Sequence, residues 1–201
     1  MSKINVEDKE VSELIKVLIK EEKPIRINLA CGQQKVEGFI GIDKVRTDAT
    51  DIVFDLEQVP WSFIPDNCVD ELTCSHYVEH VHDLPSFMDE IWRIVKSPWI
   101  NKEGERMTSK VSIVCPYYSS MRAMQDPFHI RPISEASFLY YNEEWRKANK
   151  LDHYGIKSNF DFQYGYQLSP EWANRSQEAR DFAIRHYINV ITDIYFTLTK
   201  K

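Results

Sequence analysis

The sequence predicts an α/β fold in which a mostly parallel sheet, covered by helices, ends in an antiparallel edge. Three observations carry this. Five short β-rich runs fall within the first 115 residues, each bounded by Gly, Pro, Asp or Asn. An amphipathic helical segment separates the fourth run from the fifth, which is the order of a parallel crossover. The C-terminal segment then alternates apolar and polar residues with the period of a half-buried strand.

Taken in order, Val11, Leu14, Ile15, Leu18 and Ile19 recur at helical spacing, so residues 6–22 are expected to form a helix that stops before Pro24. The five strands follow at 25–30, 38–43, 52–56, 69–74 and 111–115. Between the last two, Leu84, Phe87, Met88, Ile91, Ile94 and Val95 share one face of a helix over 84–96. Ile188, Val190, Ile194, Phe196 and Leu198 alternate with polar residues, and 156–166 is expected to be their antiparallel partner. The expected division is one domain over 1–201. Residues 1–24 form the N-terminal helix, 25–115 the ligand-binding core, and 116–201 the substrate-side segment and tail strands.

Composition narrows the function. The chain has 201 residues, 43% of them hydrophobic, and a formal charge of -6. No basic run is long enough to track a phosphate backbone, which disfavours long nucleic acid as a partner. No apolar run approaches the ~20 residues of a membrane span, and the N-terminus is charged where a signal peptide is apolar. The four cysteines form no C-x-x-C pair and are expected to be reduced, in a cytoplasmic protein.

In parallel sheets ligands bind at the carboxyl ends of the strands. The first strand runs into Asn28-Leu29-Ala30-Cys31-Gly32, a small-residue turn that admits a ligand close to the backbone, and the second ends at Asp43, placed to accept from ribose hydroxyls. Each also has a plainer reading, as a turn and a solvated cap.

In combination these segments resemble the class I S-adenosylmethionine-dependent methyltransferases, over roughly residues 25–135. Ala30, Cys31 and Gly32 look like the cofactor-cradling motif and Gly41-Ile42-Asp43 like the ribose-binding strand end. Asp55-Leu56 sits where relatives contact adenine. Cys74-Ser75-His76 followed by Tyr77-Val78-Glu79-His80-Val81 resembles the end of the fourth strand and the segment after it, and Cys115-Pro116-Tyr117-Tyr118 the end of the fifth. The resemblance implies a Rossmann-like, seven-stranded, mostly parallel sheet with an antiparallel C-terminal edge strand and helices on both faces. It also implies S-adenosylmethionine as cofactor, bordered by Ala30, Cys31, Gly32, Asp43, Asp55, Leu56, Ser75 and His76. Two features depart from the family pattern. Gln33 and Gln34 follow Gly32 where glycine is usual, and only 11 positions separate Gly32 from Asp43, so the first crossover helix is expected to be missing or reduced to a turn.

His76 to His80 also spell H-x-x-E-H, a zinc-peptidase signature. That chemistry needs both histidines on one stable helix, whereas here the stretch leaves a strand and meets Pro85. Ubiquinone-pathway and small-RNA O-methyltransferases hold a divalent ion through E-x-x-E-H at this place. The chain resembles them at Glu79 and His80 but has His76 for the first Glu. The alternative is that Glu79 and His80 only organise the loop, and no metal is assigned.

Methyl transfer from a sulfonium is an in-line displacement, and a hydroxyl acceptor also needs a base. The segment Asp126-Pro127-Phe128-His129-Ile130-Arg131 offers one: Asp126 can orient His129, and Arg131 can clamp an acidic group. The candidate catalytic residues are therefore His80, Asp126 and His129, with Tyr117, Tyr118 and Arg131 as substrate contacts. The plainer reading makes Asp126 a turn cap, His129 an interior group and Arg131 part of an ion pair. The favoured acceptor is a small molecule, nucleotide sugar or glycan. The alternatives are a cofactor-binding regulatory or partner subunit without activity, and a metal-assisted enzyme acting on nucleic acid.

Overall fold

The computed structural model describes residues 6–201, with side chains from residue 13 onward. Helix α1 (Val6–Lys20) buries Ile15 completely and Leu18 in part, whereas Leu14, Val17 and Ile19 remain exposed. The apolar face is thus narrower than its spacing suggests; Val11 lies outside the described side chains. The helix ends two residues earlier than expected, where Glu22 turns to a positive φ ahead of Pro24.

Four parallel strands follow: β1 (Arg26–Leu29), β2 (Ile40–Asp43), β3 (Ile52–Val53) and β4 (Glu71–Ser75). Helix α2 (Leu84–Ile94) comes next, then a hairpin of β5 (Trp99–Ile100) and β6 (Arg106–Met107), then β7 (Lys110–Pro116). Beyond it lie α3 (Met121–Gln125), a 3-10 turn over Glu135–Tyr141, α4 (Glu143–Ala148), β8 (Phe160–Leu168), α5 (Pro170–Ala173), α6 (Gln177–His186) and β9 (Ile191–Lys200).

The main sheet has seven strands in the order β3-β2-β1-β4-β7-β9-β8. β9 is the antiparallel strand, and it lies one place in from the edge, paired on one side with β7 and on the other with β8. Ile188, read as the start of the alternation, is 81% exposed and precedes the strand. The β5–β6 hairpin carries no alternation signal in the sequence. Strand order reverses between β1 and β4, which places the switch point of the sheet at their carboxyl ends.

No helix occupies the connections 30–39, 44–51 or 54–70. The first absence matches the short spacing from Gly32 to Asp43; the other two were not anticipated. Side chains do the holding instead. Asp51 accepts from the Gly41 amide (2.8 Å) and from Lys35 Nζ, fixing the loops after β1 and β2. Arg93 of α2 donates to Glu90, to Asp66 Oδ1 (2.6 Å) and to the carbonyls of Trp61 (3.0 Å) and Ile64 (2.9 Å), while the Trp61 amide donates to Glu90 Oε2 (2.8 Å). That planar fork with its buried carboxylate pins the 61–66 loop where a crossover helix would otherwise pack.

α2 begins at Asp83, which accepts from the Ser86 amide (3.1 Å) and hydroxyl (2.6 Å), with Pro85 in the first turn. These bonds hold the Asp83 carboxyl below its ordinary pKa. Asp83→Ala is expected to cost about 1 kcal/mol at neutral pH. The folded carboxyl titrates below the unfolded one, so the difference between variant and wild type is complete above the usual carboxylate range. It shrinks as pH falls through the folded value, which urea melts at pH 7 and pH 3 will show.

The core gathers Ile25, Ile27 and Leu29 of the first strand segment, Ile42, Leu72, Val111 and Ile113 of its neighbours, and Phe87, Met88, Ile91 and Ile94 of α2. All four cysteines are free and buried, as expected from their spacing. Burial pushes the Cys68 thiol up to about 11 and those of Cys74 and Cys115 higher still. Among the described residues, no helix is long and apolar enough to cross a membrane.

Candidate active site

A cleft of about 640 Å³ opens at the carboxyl ends of β1 to β4, within the size range of small-molecule sites. Its walls come from each strand end in turn. Ala30, at the end of β1, takes a left-handed φ of 51°, and His76, after β4, one of 53°. Such geometry is uncommon for residues with a Cβ and clusters at functional sites. It turns the chain sharply at the two strands that flank the switch point.

Asp43 organises the next wall. Its Oδ2 accepts from the Gly32 amide and its Oδ1 from the Val45 amide, each at 2.9 Å, so one half-buried carboxylate ties together the loops after β1 and β2 while lining the cleft. Gly32 itself adopts φ +52°, the left-handed conformation for which glycine suits this turn. β3 stops after two residues because Phe54, Asp55 and Leu56 leave the sheet to face the cleft. Asp55 accepts from the Glu57 amide (3.2 Å) and the Leu56 carbonyl from Trp61 Nε1 (3.1 Å).

The wall after β4 is a turn, not the helix a zinc peptidase requires. His82 Nδ1 meets Glu57 Oε1 at 2.9 Å, closing the rim across the cleft from the β3 side. Burial pushes the Tyr77 hydroxyl well above its ordinary pKa. The opposite lip is the segment after α3: Pro127, Phe128 and Ile130 line the cleft, and Phe128 is 75% exposed. The Ile130 amide donates to the Glu79 carbonyl (3.0 Å), which draws this segment against the turn after β4.

Of the residues singled out from sequence, Ala30, Asp43, Asp55, Leu56, His76 and His80 line the cleft together. Cys31 is turned away, its thiol facing the Ala49 carbonyl and the Thr50 hydroxyl. Gly32 and Ser75 flank the walls without lining them.

Asp126 and His129 come within ion-pair distance but share no hydrogen bond. Nε2 of His129 is 3.8 Å from Asp126 Oδ2, too far for a hydrogen bond, and Asp126 instead accepts from the Phe128 amide at 2.8 Å. The group that orients His129 is the Ala123 carbonyl, 3.0 Å from Nδ1. Arg131 ties the lip to the turn by donating to the His82 carbonyl (2.9 Å). Tyr117 is buried, with its hydroxyl donated to Glu135 Oε1 (2.7 Å), an oxygen that also receives the Tyr166 hydroxyl. Tyr118 is exposed and borders a separate, shallower pocket beside Glu135. Neither tyrosine lines the main cleft.

Sequence reading missed Phe54, Glu57, Tyr77 and His82 as cleft residues. It also missed the proximity of Glu79, His80 and His129, whose donor atoms all lie within 4.8 Å of one another. The rings of His80 and His129 meet edge to face at 4.7 Å.

Residues 30–98 match the family model described as the methyltransferase domain. The chain is similar in structure to a SAM-dependent methyltransferase from Archaeoglobus fulgidus, with a TM-score of 0.55 and 17% identity over 96% of this chain and 94% of that one. It is also similar to the YcgJ protein of Bacillus subtilis, with a TM-score of 0.49 and 14% identity over 94% and 98% of the two chains. A third similarity is to a SAM-dependent methyltransferase from Thermotoga maritima described as a possible histamine N-methyltransferase, with a TM-score of 0.48 and 13% identity over 96% and 89%. No curated protein matches the chain.

Proposed function

We propose that this chain, a class I methyltransferase by its fold and by the family match over residues 30–98, transfers the methyl group of S-adenosylmethionine to a hydroxyl-bearing small molecule, nucleotide sugar or glycan. The observation that carries the reading is the convergence of Ala30, Asp43, Asp55 and Leu56 on one cleft at the switch point of the sheet.

In this reading Asp43 accepts from the ribose hydroxyls with lone pairs left over from its two backbone bonds. Phe54 and Leu56 cover the adenine, with Asp55 beside them. The methyl group then points along the cleft toward His76, His80 and the Phe128 lip, where the acceptor sits. The exposed Phe128 supplies an apolar face of the kind on which a flat ring or a sugar packs. Displacement needs donor and acceptor held in line, and the imidazoles at this end of the cleft are the groups that handle the acceptor's proton.

The test is a thermal melt with S-adenosylmethionine. At 100 times its dissociation constant, a ligand that binds only the folded chain stabilises it by about 2.7 kcal/mol. A rise in Tm of several degrees is expected. A cooperative melt that S-adenosylmethionine and S-adenosylhomocysteine both leave unmoved overturns the reading. A shift without turnover on any hydroxyl acceptor favours a cofactor-binding regulatory subunit.

A further inference from the structure

Glu135 is a carboxylate with hydrogen-bond donors but no counter-charge. Its Oε1 receives two phenol hydroxyls, from Tyr117 beyond β7 (2.7 Å) and from Tyr166 of β8. Among the described residues no group donates to Oε2, and no lysine, arginine or histidine comes within ion-pair distance of Glu135. Burial and the bonds to Glu135 push both phenols well above their ordinary pKa, so each is a neutral donor and the negative charge stays on the carboxylate. A fully solvated surface carboxylate needs no partner. This one is half-buried, and two tyrosines from different strands of the sheet are aimed at a single one of its oxygens.

Aromatic surface surrounds the charge. The Tyr117 ring meets that of Tyr118 at 4.6 Å and that of Tyr166 at 5.6 Å, at interplanar angles of 57° and 69°. Tyr118 and Glu135 line the same pocket, of about 380 Å³, together with Pro132 and Ser134, and the Tyr118 ring is 45% exposed. A ring face attracts a cation through its quadrupole, and a phenol that donates to a carboxylate is polarised in the sense that strengthens this attraction.

We infer that Glu135 and Tyr118, supported by Tyr117 and Tyr166, form a binding site for a small organic ammonium ion, an alkylated amine of the choline type. Such an ion is weakly hydrated and takes both the Coulomb attraction of Oε2 and the ring face of Tyr118. A metal ion fits the same donors poorly. Magnesium and calcium need about six oxygens or more, and the side-chain oxygens of Glu135 and Ser134 are few for that; zinc and its neighbours prefer imidazole or thiolate, and no His or Cys lines the pocket. The site adjoins the cleft along the chain: the segment 127–135 gives Pro127, Phe128 and Ile130 to the cleft and Pro132, Ser134 and Glu135 to this pocket. Binding here does not rest on the methyl-transfer reading.

The experiment is isothermal titration of the full chain with choline and with dimethylbutanol, its neutral carbon isostere, at constant ionic strength. Choline is expected to bind saturably, one per chain, and the isostere about tenfold more weakly or not at all. Glu135→Gln keeps an oxygen for the two phenols and removes the charge, so it should weaken choline about tenfold. Tyr118→Ala should weaken it about two- to fivefold. If Glu135→Gln does not fold, Tyr118→Ala, at an exposed ring, carries the test. Equal binding of choline and its isostere overturns the inference, as does a folded Glu135→Gln that keeps wild-type affinity or a wild type that binds calcium in place of choline. An unstructured peptide carrying trimethyllysine, titrated in parallel, should bind no more tightly than choline; a clearly tighter peptide overturns the assignment to a free small molecule.

Discussion

Asp43→Ala is expected to weaken S-adenosylmethionine binding by about 1–3 kcal/mol, between fivefold and 150-fold in dissociation constant. Two losses add. The ribose hydroxyls lose a charged acceptor, and the Gly32 and Val45 amides lose the oxygens that hold their loops around the cleft. Isothermal titration with S-adenosylhomocysteine measures the effect without turnover. Asp43→Asn separates the two losses, since its side-chain oxygen can still accept one backbone bond while the charge is gone. Its affinity should fall between wild type and alanine. Unchanged affinity in the alanine variant would remove Asp43 from the cofactor site.

Gly41→Ala has the largest expected effect on stability. A Cβ at this position would lie 2.1 Å from the Ala49 carbonyl oxygen and 3.0 Å from Cys31 Sγ. The first obstacle is backbone, and it cannot easily retreat: the Thr50 side chain donates to the Val45 carbonyl (2.9 Å), and Asp51 is bonded to Gly41 itself through side chain and backbone. Overpacking of this kind costs about 3 kcal/mol. In a chain of this length that corresponds to a fall in Tm of roughly 6–12 °C, measurable by calorimetry. A variant melting within two degrees of wild type would show that the 44–51 loop is free to move.

How far the sequence foretold these features follows from how local each one is. β1, β2, β4 and β7 are short apolar runs between turn residues, and α2 shows its face at helical spacing; both signals survive in a single segment. β3 was expected to reach Leu56 because Phe54 and Leu56 are apolar, but their apolar surface serves the cleft and the core beneath it. In α1, spacing alone did not reveal that only one side of an apolar stripe meets the sheet. The wall of the cleft was legible because strand ends mark it. The Glu79–His129 contact was not, because the backbone bond from Ile130 to Glu79 that creates it joins segments far apart in the chain. For the same reason Asp126 looked like the partner of His129 three positions on, when the nearer acceptor is the Ala123 carbonyl.

The helix-free connections also bear on how the molecule folds. Ile27 pairs with Ile40 and Ile42 with Ile52, so the β1–β2–β3 ladder closes loops of roughly a dozen residues, where parallel strands usually wait for a longer crossover. Short loops cost little entropy to close, and contacts near in sequence form fast. At the other end of the sheet, Ile113 pairs with Phe196, one of the most distant pairings in the chain. The β1–β3 side can therefore assemble while β7 still presents a bare, apolar edge. Until β9 arrives to cover it, that edge is where a nascent or refolding chain is most exposed to pairing with another copy of itself.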